Sequence, residues 1–205
     1  MSANKFVFVH PSRCLISGPS GCGKTEFVKN VIRYKNEMFT VPPTTIIYTY
    51  KYEQSWFPEF PEINFTREVP SMLDPQHPTL IIIDDVACDP ASLKESASLF
   101  VRGSHHMNAS VIFIAQNLFA SSSDFRTISL NASVLVLFKT VRGRHQIEHL
   151  GRQIFGSQSM QEFVNAYIDA TKSPYSYLLV DLEPTQEHRL RANVFPFEEE
   201  IVYLI

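Results

Sequence analysis

The chain has 205 residues, of which 44% are hydrophobic and 12% aromatic, and its 18 Lys and Arg residues face 21 Asp and Glu residues for a net charge of −3. This length and composition predict one folded domain spanning residues 1–205 and exclude a disordered chain. The mild acidity also excludes a protein that coats nucleic acid with its whole surface, so any DNA contact is confined to a patch.

The apolar runs of the chain are short. The longest lie at 80–83, 111–115 and 134–138, whereas a membrane-spanning helix needs about 20 apolar residues. The four-residue apolar stretch at 6–9 also falls short of a secretory signal, which needs roughly 7 to 15. The three cysteines lack CxxC spacing, which argues against a disulfide framework or a zinc site. We therefore expect an intracellular protein with no membrane span.

Six apolar, β-branched runs predict strands, at Arg13–Ser17, Thr44–Tyr50, Thr79–Val86, Ser110–Ala115, Ser133–Lys139 and Tyr175–Leu182. Their apolar residues are continuous rather than alternating, which indicates a mainly parallel central sheet buried on both faces. Segments with helical periodicity lie between them, after Gly23 and at 91–101, 146–155 and 160–170. The alternation predicts βαβ units and a three-layer α/β fold. The Pro- and acid-rich stretch 53–78 predicts an irregular surface insertion away from the chemistry.

A glycine-rich motif follows the first predicted strand. Residues 18–25 read GPSGCGKT, the GxxxxGK[ST] pattern of a phosphate-binding loop between a strand and a helix. The backbone N–H groups of the loop would close round the phosphates of ATP, aided by the helix dipole. The binding residues predicted here are Gly18, Ser20, Gly21, Cys22 and Gly23. Lys24 would reach the β- and γ-phosphates, and the Thr25 hydroxyl would ligate Mg²⁺. A glycine-rich turn without a ligand is the alternative. The setting of Cys22 at a helix N-terminus predicts a lowered thiol pKa.

Two acidic residues end the third predicted strand. Asp84 is placed to act on the Mg²⁺ side through water, and Asp85 to polarise the attacking water as a base. Either could instead be a helix N-cap. Because the second acid of such NTPases is usually Glu, Asp85 is a departure from the pattern.

A polar pair ends the next strand. Gln116 and Asn117 follow the apolar run 111–115. Since the Gln116 amide can hydrogen-bond both the γ-phosphate and a water molecule, we predict that it senses the terminal phosphate. A polar strand terminus in a loop is the simpler alternative.

Three segments together resemble a known family: GPSGCGKT at 18–25, LIIIDDV at 80–86 and GSHHMNASVIFIAQNLF at 103–119. They are similar to the additional-strand P-loop ATPases of the FtsK/HerA group. The closer resemblance is to the genome-packaging ATPases of poxvirus-like large DNA viruses and Polinton/Maverick elements. It covers residues 13–195, and the segment 103–119 is its most specific part. It implies a RecA/FtsK-HerA-like fold and a homo-oligomeric ring that hydrolyses ATP with Mg²⁺ to drive double-stranded DNA into a capsid, at a viral assembly site.

The resemblance also implies an arginine finger from a neighbouring subunit. Arg102 matches its position upstream of the sensor strand, and Arg142 and Arg144 are rivals. An arginine supplied in trans would stabilise charge on the γ-phosphate, so that hydrolysis would require assembly. DNA would then be contacted by loops that line the ring. Separately, the basic stretch from Lys139 to Arg152 could contact DNA phosphates or a neighbouring subunit, and a solvated helix face is the equal alternative.

Two other functions remain open from the sequence: a P-loop kinase acting on a small acceptor, and a nucleotide-gated assembly protein without hydrolysis. The apolar tail 201–205 also has several interpretations. It could add an edge strand, dock on a partner such as a capsid protein, or pack on its own domain.

Overall fold

The computed structural model describes residues 5–71, 73–84, 89–119, 122–184 and 189–205, and only the backbone at 102–106. The strands are β1 Arg13–Ser17, β2 Thr45–Thr49, β3 Asn64–Thr66, β4 Thr79–Asp84, β5 Ala109–Ala115, β6 Val134–Phe138, β7 Tyr177–Asp181, β8 Leu190–Ala192 and β9 Ile201–Tyr203. The helices are α1 Lys24–Arg33, α2 Lys35–Met38, α3 Pro90–His106, α4 Ser123–Asn131 and α5 Arg144–Ala170, with a 3₁₀ turn at Phe57–Glu59.

The described strands form one sheet in the order β3-β2-β4-β5-β1-β6-β7-β8-β9. From β3 to β6 all neighbours are parallel, whereas β7, β8 and β9 each run antiparallel to the preceding strand. Strand β5 lies between β1, which leads into the phosphate loop, and β4, which ends in Asp84. This inserted strand confirms the predicted fold class, an additional-strand P-loop NTPase fold with a mainly parallel sheet.

Two apolar clusters cover the faces of the sheet. Leu15 of β1 packs in the cluster that contains α3, α4 and α5 side chains, and its neighbour Ile16 packs in the cluster that contains α1. Successive residues of a strand point to opposite faces, so β1 is buried on both. The three predicted layers follow from this arrangement.

The sequence predicted the positions of the six longest strands, which include β7. It did not predict the direction of β7. β7 is antiparallel to β6, with Leu135 opposite Val180. The three-residue strands β3 and β8 were not predicted, nor was α4. The apolar tail forms β9, an edge strand on β8 with Val202 opposite Arg191. In α5 the backbone leaves helical geometry at Gly156 (φ 77°, ψ 177°), between the two helices that the periodicity predicts.

The stretch between β2 and β4 differs from its prediction as a surface insertion. Trp56, Phe57, Phe60 and Ile63 are buried in the cluster that contains α1. The Phe57 and Phe65 rings stack with centroids 4.0 Å apart. Aromatic burial of this kind outweighs the turn-forming prolines in fixing the segment. None of the helices in the described ranges is both long and apolar enough to cross a membrane.

Candidate nucleotide-binding site

The phosphate loop connects β1 to α1 at the carboxyl edge of the sheet. The Gly18 N–H donates to the carbonyl of Ala115 at the end of β5, with an N···O distance of 3.3 Å. A Cβ at Gly18 would lie 2.6 Å from Cβ of Phe138 and 2.7 Å from Sγ of Cys22. Only glycine fits there, because any side chain would force the loop away from β6.

Positive φ angles explain two further glycines of the motif. Gly21 has φ 75°, and Gly23, which caps α1, has φ 111°. The Gly23 carbonyl accepts the first bond of the helix from the Phe27 N–H at 3.0 Å. Because the first N–H groups of a helix have no carbonyl acceptor within it, these groups and the positive end of the α1 dipole lie next to the loop, as anion binding requires.

Lys24 folds back over the loop. Its Nζ donates to the Gly18 carbonyl at 2.6 Å and to the Pro19 carbonyl at 2.8 Å. Because an ammonium group has three N–H donors, these bonds fix its position and leave it able to donate to a phosphate. Lys24 and Thr25 are both half-buried at the start of α1.

The expected lowering of the Cys22 pKa is wrong. Partial burial raises the pKa of the Cys22 thiol, and this effect outweighs the Lys24 charge and the backbone N–H groups that favour the thiolate. Cys22 is therefore a lining residue of the loop that stays protonated at neutral pH.

Asp84 ends β4, and two donors hold one of its oxygens. Oδ2 accepts a hydrogen bond of 2.7 Å from the Tyr48 hydroxyl on the neighbouring strand β2. It accepts a second bond of 3.0 Å from Nε2 of Gln54. Gln54 is itself held by Nε1–H of Trp56, which donates to Oε1 at 2.8 Å. The segment after β2 therefore contacts the acidic residue that it was predicted to avoid.

Tyr48 is fully buried, and burial raises its pKa well above the usual range, with further contributions from the Asp84 charge and hydrogen bond. The phenol stays neutral at every physiological pH and remains a donor to the carboxylate. Sequence reasoning missed Tyr48 and Gln54. A hydroxyl-bearing aromatic inside a buried strand was the available signal, since a buried phenol needs an acceptor. Asp85, predicted to be the base, lies outside the described residues.

Gln116 and the phosphate loop share one cavity of about 360 Å³. Ser17 at the end of β1 and the loop residues 18–20 line one side of the cavity, and Gln116 and Asn117 line it from the end of β5. Gln116 is exposed, and the Asn117 side chain instead accepts from the Phe119 N–H at 3.2 Å. The amide of Gln116 is therefore the one available to a ligand beside the loop.

The three candidate arginines lie in different places. Arg142 lines the cavity that contains the loop of its own chain. Arg144 is exposed and pairs with Glu148, with an Nε···Oε1 distance of 3.1 Å. Arg102 lies on α3, and its side chain is outside the described residues. Arg142 is thus placed to act within one chain, a role that the sequence did not suggest.

The oxygen donors at this edge fit Mg²⁺. The Asp84 carboxylate and the Thr25 hydroxyl are hard ligands, and a nucleotide-bound Mg²⁺ takes its remaining ligands from phosphates and water. No cluster of three or more His, Cys, Asp or Glu side chains that could hold a metal by itself occurs among the described residues.

The chain was compared with known proteins. No protein-family model matches the sequence, and no curated protein matches it. Among solved structures, the chain is similar to the genome packaging NTPase B204 from Sulfolobus turreted icosahedral virus 2, solved in complex with ATP-gammaS. The identity is 10%, the TM-score is 0.49, and the match covers 94% of this chain and 96% of that chain. The additional-strand fold of this chain follows from its own strand order, in which β5 lies between β1 and β4.

Proposed function

We propose that the protein is an ATPase that works as a homo-oligomeric ring and translocates double-stranded DNA into a viral capsid. The observation that carries the ATPase part is the shared cavity of the phosphate loop and Gln116. The additional-strand order supports it, because Asp84 reaches the same edge of the sheet from β4. The DNA and capsid parts rest on the resemblance of residues 80–86 and 103–119 to packaging ATPases.

In this proposal the loop backbone and Lys24 hold the β- and γ-phosphates. Thr25 would ligate Mg²⁺ and Asp84 would hold it through water, and the bound metal would neutralise charge on the phosphate oxygens. Asp85 accepts a proton from water as the water oxygen bonds to the γ-phosphorus and the bond to the ADP oxygen breaks. The products are ADP and inorganic phosphate. Positioning and charge stabilisation account for most of the catalysis in such a transfer.

Gln116 would contact the γ-phosphate and the water, and so report the loss of the phosphate to the rest of the ring. Arg102 from a neighbouring subunit would stabilise the transition state, which makes turnover depend on assembly. Arg142 would act within its own chain in the same step, since it already lines the cavity.

The test is steady-state ATP hydrolysis over a range of protein concentrations, with and without long double-stranded DNA. Lys24→Ala and Asp85→Asn serve as blanks. We expect turnover to rise more than linearly with protein concentration and to rise again with DNA. Turnover by Arg102→Ala alone should not rise with protein concentration, whereas turnover by Arg144→Ala, at an exposed position paired with Glu148, should rise as in wild type.

A rate that is indifferent to both DNA and protein concentration contradicts the motor. Phosphate transfer to a nucleoside or nucleotide acceptor would establish a kinase instead. Tight ATP binding and oligomerisation without hydrolysis would establish an assembly protein.

A further inference from the structure

If the proposed function holds, the strand order indicates the side of the phosphate loop toward which the nucleoside of a bound nucleotide extends. Strands β4 and β5, with Asp84 and Gln116, lie on one side of β1, and β6 and β7 lie on the other. The terminal phosphate belongs beside the acid and the sensor. The nucleoside of a nucleotide bound in this way would therefore extend from the loop toward β6 and β7.

On that side the turn between α5 and β7, residues 171–176, closes against the phosphate loop. A Cβ at Gly23 would lie 3.2 Å from Cβ and 3.4 Å from Cα of Tyr175. The turn is internally bonded: the Thr171 hydroxyl donates to the Tyr167 carbonyl at 2.7 Å, and the Ser176 hydroxyl to the Ser173 carbonyl at 2.7 Å. It is a fixed wall of the site rather than a free loop.

Tyr175 lies in this turn with an unusual backbone conformation and an unusually exposed side chain. Its φ is 64°, the left-handed region that non-glycine residues rarely adopt. Its side chain is 71% exposed although it is a large aromatic. Backbone strain of this kind persists where the surrounding structure fixes it, and it is concentrated at ligand sites.

A cavity of about 340 Å³ lies between the turn and the loop. Tyr175 and Pro174 supply its apolar wall, Gly21 and Cys22 its loop side, and Lys139 and Lys172 two ammonium groups. Lys172 is also paired with Asp169 at 2.9 Å. An aromatic face beside a phosphate loop, with cations at the rim, suits a nucleobase and the oxygens of the sugar and α-phosphate.

We propose that Tyr175 is the platform on which the nucleobase of the bound nucleoside triphosphate stacks, in the cavity between the phosphate loop and the turn 171–176. The ring contributes a π-face, and the glycine at 23 is required so that the turn can approach. Lys139 and Lys172 donate to the oxygens that connect the base to the loop.

The test compares two ligands, MgATP and magnesium tripolyphosphate, which has the phosphates but no base. Calorimetric binding is measured for wild type, Tyr175→Asn and Tyr175→Phe. Asn is chosen because it tolerates the left-handed backbone while removing the ring. The matched control is Tyr52→Asn, since Tyr52 is 66% exposed and follows β2 on the other side of β1.

We expect Tyr175→Asn to weaken MgATP binding about tenfold, the loss typical of one base–aromatic stack, and to leave tripolyphosphate binding unchanged. Tyr175→Phe and Tyr52→Asn should bind both ligands as wild type does. Unchanged MgATP binding by Tyr175→Asn overturns the platform, and so does an equal loss for both ligands, which would mean that the turn only shapes the loop. If wild type binds neither ligand, the proposed nucleotide site itself falls, and the platform with it.

Discussion

The Tyr48 hydroxyl donates a hydrogen bond of 2.7 Å to Oδ2 of Asp84 from the neighbouring strand β2. Gln54 donates to the same oxygen, so the orientation of the carboxylate is set by groups outside its own strand. A residue with such a role acts through the acid rather than on the nucleotide. If Asp84 holds Mg²⁺ as proposed, removal of the Tyr48 hydroxyl should weaken metal binding more than phosphate binding by the loop.

Tyr48→Phe should therefore raise the Mg²⁺ concentration needed for half-maximal ATP turnover by about tenfold, the usual size of an outer-shell effect. Binding of tripolyphosphate without metal should not change, because the loop is intact. Tyr50→Phe is the matched control, since Tyr50 follows the same strand and packs edge-to-face on Phe57, with centroids 4.8 Å apart. Equal shifts in the two variants would show that Tyr48 acts only through packing.

Gly18→Ala should destabilise the protein, because the new methyl group would meet Phe138 Cβ at 2.6 Å next to the backbone of β6. Overpacking of this kind costs about 1–3 kcal/mol. Urea unfolding measures the loss. Gly21→Ala is the comparison, since a Cβ there meets no atom within 4 Å and only the positive φ opposes it. A loss at Gly21 that exceeds the loss at Gly18 would contradict the close approach of loop and β6.

Cys22 should be alkylated slowly. Because burial raises the pKa of its thiol from the ordinary 9.0, less thiolate is present at pH 8 than in an unfolded chain. The rate of iodoacetamide modification of the Cys22 peptide, followed by mass spectrometry, should rise with pH through an inflection above 9.0. Lys24→Met should move the inflection still higher, because the Lys24 charge favours the thiolate. The same peptide in urea supplies the reference, and an inflection below that reference contradicts the prediction.

Glu200→Ala should destabilise the last strands. Nη1 of Arg191 donates to Oε1 of Glu200 at 2.6 Å, with the two side chains 4% and 10% exposed. The same oxygen accepts from the Phe6 N–H at 3.1 Å, which joins the N-terminal segment to β9. Removing one partner of a largely buried hydrogen-bonded pair costs about 1–3 kcal/mol, measured by thermal or urea unfolding. Glu199→Ala, at an exposed neighbouring position, should cost little, and equal losses would mean that the pair is not buried in solution.

In the parallel part of the sheet, continuous apolar runs were enough to locate β1, β2, β4, β5 and β6, because strands buried on both faces have no competing pattern. They could not give the direction of β7, since a run such as 177–181 is equally apolar whichever way the strand runs. The short strands β3, β8 and β9 have three residues each, too few for a periodic signal. Gly156 explains why two helical periodicities occur in 144–170, as its backbone is not helical.

The phosphate loop was predicted from the sequence because its chemistry is local: glycines, a lysine and a hydroxyl occupy consecutive positions. The donors to Asp84 were not, since Tyr48 and Gln54 reach it from a distant part of the chain. The prolines and acids of 53–78 indicated a surface insertion, so the burial of Trp56, Phe57 and Phe60 was not predicted. The pKa of Cys22 could not be predicted from the sequence, because burial raises it while the neighbouring Lys24 charge lowers it.

The position of β1 between β5 and β6 determines when its partner strands become available during synthesis. Arg13 pairs with Val111 on one side and Cys14 with Val134 on the other, so both neighbours of the strand are synthesised long after it. Pairings between such distant segments form late, since the connecting chain must be ordered first. A nascent chain that ends before Val134 cannot enclose β1. The loop after β1 therefore reaches its final surroundings, which include Phe138 of β6, only after that point in synthesis.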